Sequence, residues 1–117
     1  MIIRSRIQRR PTERTLLLDT QVGETQLQVA LIDCDGVATP ASLQRCLEEI
    51  RGVPGISGAG LDVRILELTD PDKACERAIR ACFEVRAGTM LAFCYRGTAC
   101  FREAARGLGL PLNATDE

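Results

Sequence analysis

Two neighbouring segments have the residue pattern of β-strands, and the second alternates hydrophobic and polar or small residues, which is the period of a strand. They are "RTLLLDT" at 14–20 and "TQLQVALID" at 25–33. In the second segment, the apolar residues Leu27, Val29 and Leu31 are separated by Gln28 and Ala30. The connecting "QVGE" is typical of a tight turn. This pattern predicts an antiparallel strand pair with one well-buried face.

Three later segments place apolar residues three and four positions apart, which predicts three amphipathic helices at 39–50, 70–85 and 98–108. The predicted buried stripes are Leu43, Cys46, Leu47 and Ile50, then Cys75, Ala78, Ile79 and Cys82, and finally Phe101, Ala104, Ala105 and Leu108. Residue types that favour helix N-caps precede each stripe, namely Thr39, Asp70 and Thr98. Proline follows the first two caps, where its missing N–H costs nothing.

Two further strands are predicted between the helices, "LDVRILELT" at 61–69 and "TMLAFCY" at 89–95. The second is almost continuously apolar, as expected for a strand covered on both faces. The predicted order is therefore β-β-α-β-α-β-α. This order implies an α/β fold, in which a single domain at 14–117 builds one mixed sheet with helices packed on it.

The first 13 residues are read as a basic N-terminal arm. Five arginines crowd the start of the chain, with only Glu13 against them: Arg4, Arg6, Arg9, Arg10 and Arg14. Such an arm could contact an acidic partner or a phosphate backbone. The alternative is a solvated segment, or one docked on the acidic part of its own domain. The net charge of −1 gives the whole chain no general attraction to nucleic acid or to acidic lipid.

The amino-acid composition limits the catalytic and metal-binding roles that the chain could have. The chain has no histidine, which removes the usual general base and the commonest metal ligand. None of its six cysteines forms a C-x-x-C pair, so no zinc site, cofactor or other metal is predicted. Most of these cysteines fall on apolar faces and are read as small core residues. No leader peptide or long apolar run is visible, so we expect a cytoplasmic protein without membrane contact.

The stretch "LIDCDG" ends a strand in Asp33 and Asp35, and it resembles the start of haloacid-dehalogenase phosphatase active sites. In that family the first aspartate is the nucleophile and the second is the acid/base, beside a magnesium ion. Thr69 and Lys73 stand where the family often carries a hydroxyl and a basic residue. The structural alternative is that Asp and Gly are simply favoured where a strand turns into a loop.

The segments "LDVRILELTD" and "LAFCYRGTAC" resemble the crotonase (enoyl-CoA hydratase) superfamily. Gly97, Thr98 and Ala99 match its G-x-A motif, whose backbone N–H groups form an oxyanion hole for a thioester enolate. The small-residue segment expected after the preceding strand is absent, because Asp70 leads directly into a helix. This resemblance implies a truncated or degenerate acyl-CoA-related protein.

The resemblance that covers most of the chain is to STAS domains, of the type found in anti-sigma factor antagonists. "VATPASL" carries the match, with Thr39 and Leu43 in the corresponding places, and "ILELTD" and "LAFCYRGTACFREAARGLGLP" resemble later STAS segments. The resemblance runs from residue 14 to about residue 112. It implies a small regulatory module that binds another protein.

The phosphorylated D-S-x-G motif of STAS proteins is not intact, because Asp70 is followed by Pro71, Asp72 and Lys73. One hypothesis is that Asp72 acts as a fixed negative charge in place of phosphoserine. The simpler interpretation is that D-P-D-K is a favourable helix start.

These observations predict a non-enzymatic α/β module that acts through the ends of its strands and the starts of its helices. Open α/β sheets bind ligands beyond the carboxyl ends of their strands. The predicted binding residues are Asp33, Asp35, Thr69, Asp70, Asp72 and Lys73. The expected partner is another protein or a second copy of the chain, and contact with nucleic acid is expected only through the arginine-rich arm.

Overall fold

The computed structural model describes residues 2–34, 48 and 62–111. Within these ranges the chain forms five strands and two helices. Their bounds are β1 Ile3–Thr12, β2 Thr15–Val22, β3 Thr25–Asp33, β4 Asp62–Leu68, α1 Pro71–Glu84, β5 Thr89–Tyr95 and α2 Gly97–Gly107. The first predicted helix, at 39–50, lies outside the described residues except for Glu48, which is helical and exposed.

The strands form one mixed sheet in the order β1-β2-β3-β5-β4. The first three strands are an antiparallel meander, and β3, β5 and β4 run parallel to one another. The α/β class and the mixed sheet are therefore as predicted. The last strand along the chain, β5, lies between β3 and β4, and its residues 90–94 are all buried, as the apolar run predicted.

The structure differs from the prediction at the N-terminus, where residues 3–12 form an edge strand rather than an arm. Ile3 lies opposite Val22 and Ile7 opposite Leu18, so the apolar residues of β1 face the core while its arginines lie between them. The buried hydroxyls of Ser5 and Thr20 are hydrogen-bonded at 2.7 Å. The segment forms a strand in spite of its high charge, because the alternation of residues allows one face of the strand to be buried while the arginines remain exposed.

Both faces of the sheet carry apolar clusters. The larger cluster joins the sheet to α1 and α2, and its buried members include Leu18, Leu31, Leu91, Phe93, Ala78 and Ala104. The second cluster lies on the opposite face and comprises Leu17, Ala30, Ile32, Cys34, Met90, Ala92 and Cys94. The second half of β3 contributes to both clusters and is therefore buried on both faces, and not on one face as the alternation of its first half predicted.

The buried stripe of α1 is rotated from the predicted one. Ala74, Ala78, Ala81 and Cys82 are its buried residues, whereas Cys75 and Ile79 are half-buried and lie against α2. A β-carbon at Gly107 of α2 would come within 2.7 Å of the Cys75 carbonyl oxygen and 3.3 Å of Ile79. The two helices can approach this closely because Gly107 has no side chain. In α2, Ala104, Ala105 and Leu108 are buried as predicted, and Phe101 is half-buried.

Candidate functional site

The carboxyl ends of the three parallel strands meet at one edge of the sheet. Asp33 of β3 is in register with Tyr95 of β5, and Leu68 of β4 is in register with the same tyrosine. The backbone pairing continues just beyond the strands, because Cys34 donates to the Tyr95 carbonyl at 3.0 Å and Arg96 donates to the Leu68 carbonyl at 3.1 Å. The sheet therefore fixes the backbone from which the predicted site residues project.

Two groups of predicted site residues lie at this edge, and β5 separates them. Asp33 follows β3, whereas Thr69, Asp70, Asp72 and Lys73 follow β4. Because the order is β3-β5-β4, the two groups are about 10 Å apart, which is two strand spacings. Asp35 lies outside the described residues. Of the predicted residues that the structure describes, one group therefore lies at the end of β3 and the other at the end of β4, at the same edge of the sheet.

Asp33 borders a small cavity between β3 and the start of α2. The cavity has a volume of about 140 Å³ and is lined by Asp33, Tyr95, Gly97, Thr98 and Phe101. The rings of Tyr95 and Phe101 are 5.1 Å apart between centroids and tilted by 50°, so the two aromatic side chains pack against each other beside the cavity. The half-buried carboxyl of Asp33 and the exposed Thr98 supply the polar part of the lining.

The residues that follow β4 are exposed, and they begin α1. The Asp70 carboxylate accepts a hydrogen bond from the Asp72 N–H at 3.0 Å, which confirms Asp70 as the N-cap. The Asp70 carbonyl accepts a second bond from the Lys73 N–H at 3.1 Å. The D-P-D-K sequence is therefore a helix start in structural terms, as the simpler interpretation predicted. Asp72 adds a negative charge in the first turn, where the helix dipole stabilises it.

The start of α2 differs from the prediction. Thr98 was predicted to be its N-cap, but the helix begins at Gly97, and Arg96 occupies the cap position without a side-chain hydrogen bond. Gly97 has a φ of +84°, a conformation that favours glycine and lets the chain turn directly from β5 into the helix. Thr98 is therefore inside the helix, and it lines the cavity beside Asp33.

Two buried thiols lie side by side near this edge, on the face of the sheet opposite α1 and α2. Cys34 and Cys94 belong to the same apolar cluster. A hydrogen bond from Cys94 lowers the pKa of Cys34, and Arg96 lowers it further, while burial, Asp33 and Glu67 act in the opposite direction. The register makes these cysteines diagonal neighbours on adjacent strands, and both are free thiols.

Sequence reasoning missed three residues at this edge, Tyr95, Arg96 and Phe101. Tyr95 was read only as the end of a buried strand and Phe101 only as part of a core stripe. The signal that could have found them is the junction "CYRGT", in which a tyrosine and an arginine directly precede a strand-to-helix turn. Among the residues that the structure describes, no group of three or more carboxylates or cysteines is arranged to hold a metal ion.

Comparison of the chain with protein-family models, with curated proteins and with solved structures found no match. Neither α1 nor α2 is long and apolar enough to cross a membrane.

Proposed function

We propose that this chain is a small, non-enzymatic regulatory module that binds another protein, similar in type to a STAS domain. The surface that binds comprises the end of β3 and the junction between β4 and α1. Its residues are Asp33, Thr69, Asp70, Asp72 and Lys73, together with Tyr95 and Arg96. We call this surface the strand-end surface.

The observation that carries the proposal is the exposure of the β4–α1 junction on a rigid support. Thr69, Asp70, Asp72 and Lys73 are all exposed, and the capping bonds of Asp70 hold their backbone in one conformation. A partner that binds a preorganised surface does not have to order it, so less of the interaction energy is lost on association.

The size of the nearby cavity supports a macromolecular partner. Sites for small molecules commonly enclose about 300–1,000 Å³, whereas the cavity beside Asp33 encloses about 140 Å³. A carboxyl and a hydroxyl in so small a space suit the recognition of one protruding side chain of a partner better than the enclosure of a substrate.

Site-specific photo-cross-linking in cells tests this proposal. A benzophenone amino acid replaces Lys73 in the strand-end surface. In a matched control, it replaces Arg86, which is exposed before β5 at the opposite edge of the sheet. We expect position 73, but not position 86, to yield one defined cross-linked protein, which mass spectrometry identifies as another polypeptide or a second copy of this chain. Asp72→Lys should reduce the yield at position 73 several-fold.

Equal products from positions 73 and 86, or none from either, would overturn the proposal. Enzymatic activity or cofactor binding would contradict the proposal independently. Magnesium-dependent hydrolysis of p-nitrophenyl phosphate that Asp33→Asn abolishes would establish the phosphatase alternative. Binding of a CoA thioester that is lost when Gly97 is changed would establish the crotonase-like alternative.

A further inference from the structure

We propose that the outer face of β1, with Arg4, Arg6 and Arg9, binds the phosphate backbone of single-stranded nucleic acid. This surface is separate from the strand-end surface, and neither proposal depends on the other. We call it the arginine face.

A register shift in the pairing of β1 with β2 aligns the three arginines. Arg4 lies opposite Gln21 and Arg6 opposite Asp19, so both point to the sheet face that carries these β2 residues. Regular pairing would place Arg9 opposite Leu16, on the other face. The register shifts between Ile7 and Arg9, and this shift places Arg9 opposite Leu17.

Leu17, Asp19 and Gln21 alternate along β2 and share one face. Arg9 therefore joins Arg4 and Arg6 on that face. Bulges are known to redirect side chains in this way.

The arginine face is exposed along β1, and the β2 residues beside Arg4 and Arg6 are polar, whereas Leu17 beside Arg9 belongs to the buried cluster on the same face. Arg4, Arg6 and Arg9 are all exposed. A groove of about 320 Å³ runs beside the first two arginines and is also lined by Asp19, Gln21 and Gln26. A second groove, of about 610 Å³, adjoins it at Arg4 and Gln21. The glutamine amides supply neutral hydrogen-bond donors beside the guanidinium groups.

The charge of this face is positive even though the net charge of the chain is −1. Asp19 pairs with Arg6 at 3.4 Å, and Arg6 remains largely exposed in that pair. Within the part of the chain that the structure describes, no carboxylate forms an ion pair with Arg4 or Arg9. Among the described residues, Arg6 is therefore the one arginine of this face whose charge is paired.

The geometry favours a nucleic-acid strand over an acidic protein. From Arg4 to Arg9 the extended strand spans about 17 Å, and its cations follow one line. A nucleic-acid strand is itself a line of regularly spaced negative charges. A flexible single strand can follow the twist of an edge strand, whereas a stiff duplex cannot. Among the residues known to line the two grooves there is no aromatic side chain for base stacking, so binding should be electrostatic and independent of sequence.

Fluorescence anisotropy with a labelled oligothymidylate of about 16 nucleotides tests the inference at several salt concentrations. For three phosphate contacts, the logarithm of the association constant should fall against the logarithm of salt concentration with a slope of about −2. The variant Arg4→Gln/Arg6→Gln/Arg9→Gln should bind at least about tenfold more weakly and lose most of this slope.

Two matched controls separate the arginine face from general charge. Arg77→Gln/Arg86→Gln/Arg102→Gln removes the same charge from exposed positions elsewhere and should leave binding within about twofold. Arg9→Gln should weaken binding more than Arg10→Gln, because Arg10 is the next residue along the strand and its guanidinium donates to the Glu13 carbonyl. Circular dichroism spectra confirm that each variant is folded.

Several results would overturn the inference. The first two are an equal loss of oligothymidylate affinity in both triple variants and the absence of measurable binding at low salt. The other two are tighter binding of a duplex than of the single strand, and competition by polyglutamate that is as strong as competition by unlabelled oligonucleotide. The last result would assign the face to an acidic protein.

Discussion

At the scale of single residues, the same side-chain type acquires different chemistry from its surroundings. The periodicity of the sequence indicated that most cysteines are small core residues, and Cys34, Cys82, Cys94 and Cys100 are indeed buried. Burial raises the pKa of Cys82 to about 11. The hydrogen bond from Cys94 lowers the pKa of Cys34 although that thiol is also buried. This difference depends on neighbours that are distant in sequence, so the sequence pattern could not predict it.

Cys82 should make folding stability depend on pH in alkaline solution. An unfolded thiol loses its proton near about pH 8.5, whereas the folded Cys82 keeps its proton until about pH 11. Below this range the thiol is protonated in both states, and its full contribution to stability is present. As pH rises through the range, only the unfolded state gives up the proton, so the free energy of unfolding falls, by about 3 kcal/mol in total.

Urea denaturation of the wild type and of Cys82→Ala at a series of pH values measures this effect. The alanine variant should be less stable at neutral pH because the substitution leaves a cavity, but the difference between the two proteins should shrink from about pH 8.5 to pH 11. A difference that stays constant over this range would show that the Cys82 thiol ionises alike in both states.

At the scale of elements, the turn after α2 holds the helix against β1. Gly109 has a φ of +67°, and its carbonyl accepts a hydrogen bond from the Ser5 N–H. A β-carbon at this position would overlap the carbonyl of Ile3 and lie 3.1 Å from the α-carbon of Arg4. The turn was predicted as a helix stop, but its contact with β1 was not, because β1 itself was not predicted.

Gly109→Ala should lower the free energy of unfolding by about 2 kcal/mol or more, because a left-handed backbone and a backbone clash act together. Gly88→Ala is the matched control. Gly88 also has a positive φ, +87°, but open space lies where its β-carbon would be, so only the conformational cost of about 1 kcal/mol applies. Denaturant unfolding of both variants measures the contrast. Equal losses would mean that the chain moves away from β1 at little cost.

Local patterns identified most described elements but not their arrangement. The apolar residues and turn before β3, the alternation in β3, the apolar run of β5 and the cap of α1 were all readable, because neighbouring residues encode them. Ile3, Ser5 and Ile7 also alternate with charged or polar residues, but the density of arginine led to the interpretation of an arm. The insertion of β5 between β3 and β4 depends on long-range packing. For this reason, the separation of Asp33 from Asp70 was not predictable.

At the scale of the whole molecule, the sheet is stabilised by the apolar side chains of its interior strands. Phe93 lies on β5, is completely buried and packs in the cluster that joins the sheet to both helices. In contrast, Phe83, which lies near the end of α1, is 49% exposed. The two rings are chemically identical, so their contributions should differ only through burial and packing.

Phe93→Ala should cost about 3–5 kcal/mol, which is a large part of the total stability of a domain of this size. Phe83→Ala should cost less than about 1 kcal/mol. Thermal and urea unfolding of the two variants, followed by circular dichroism, provides the measurement. Similar losses would mean that Phe83 is packed more closely in solution than its exposure indicates.

The position of β5 between β3 and β4 also constrains how the chain can fold while it is being synthesised. The meander of β1, β2 and β3 can form as soon as it has left the ribosome, since each of its strands pairs with the next one along the chain. The nascent β4 has to wait, because its partner in the sheet is made some twenty residues later. In this interval the inner edge of β3 and the whole of β4 present open backbone to other chains, which makes this the stage of biogenesis most exposed to aggregation.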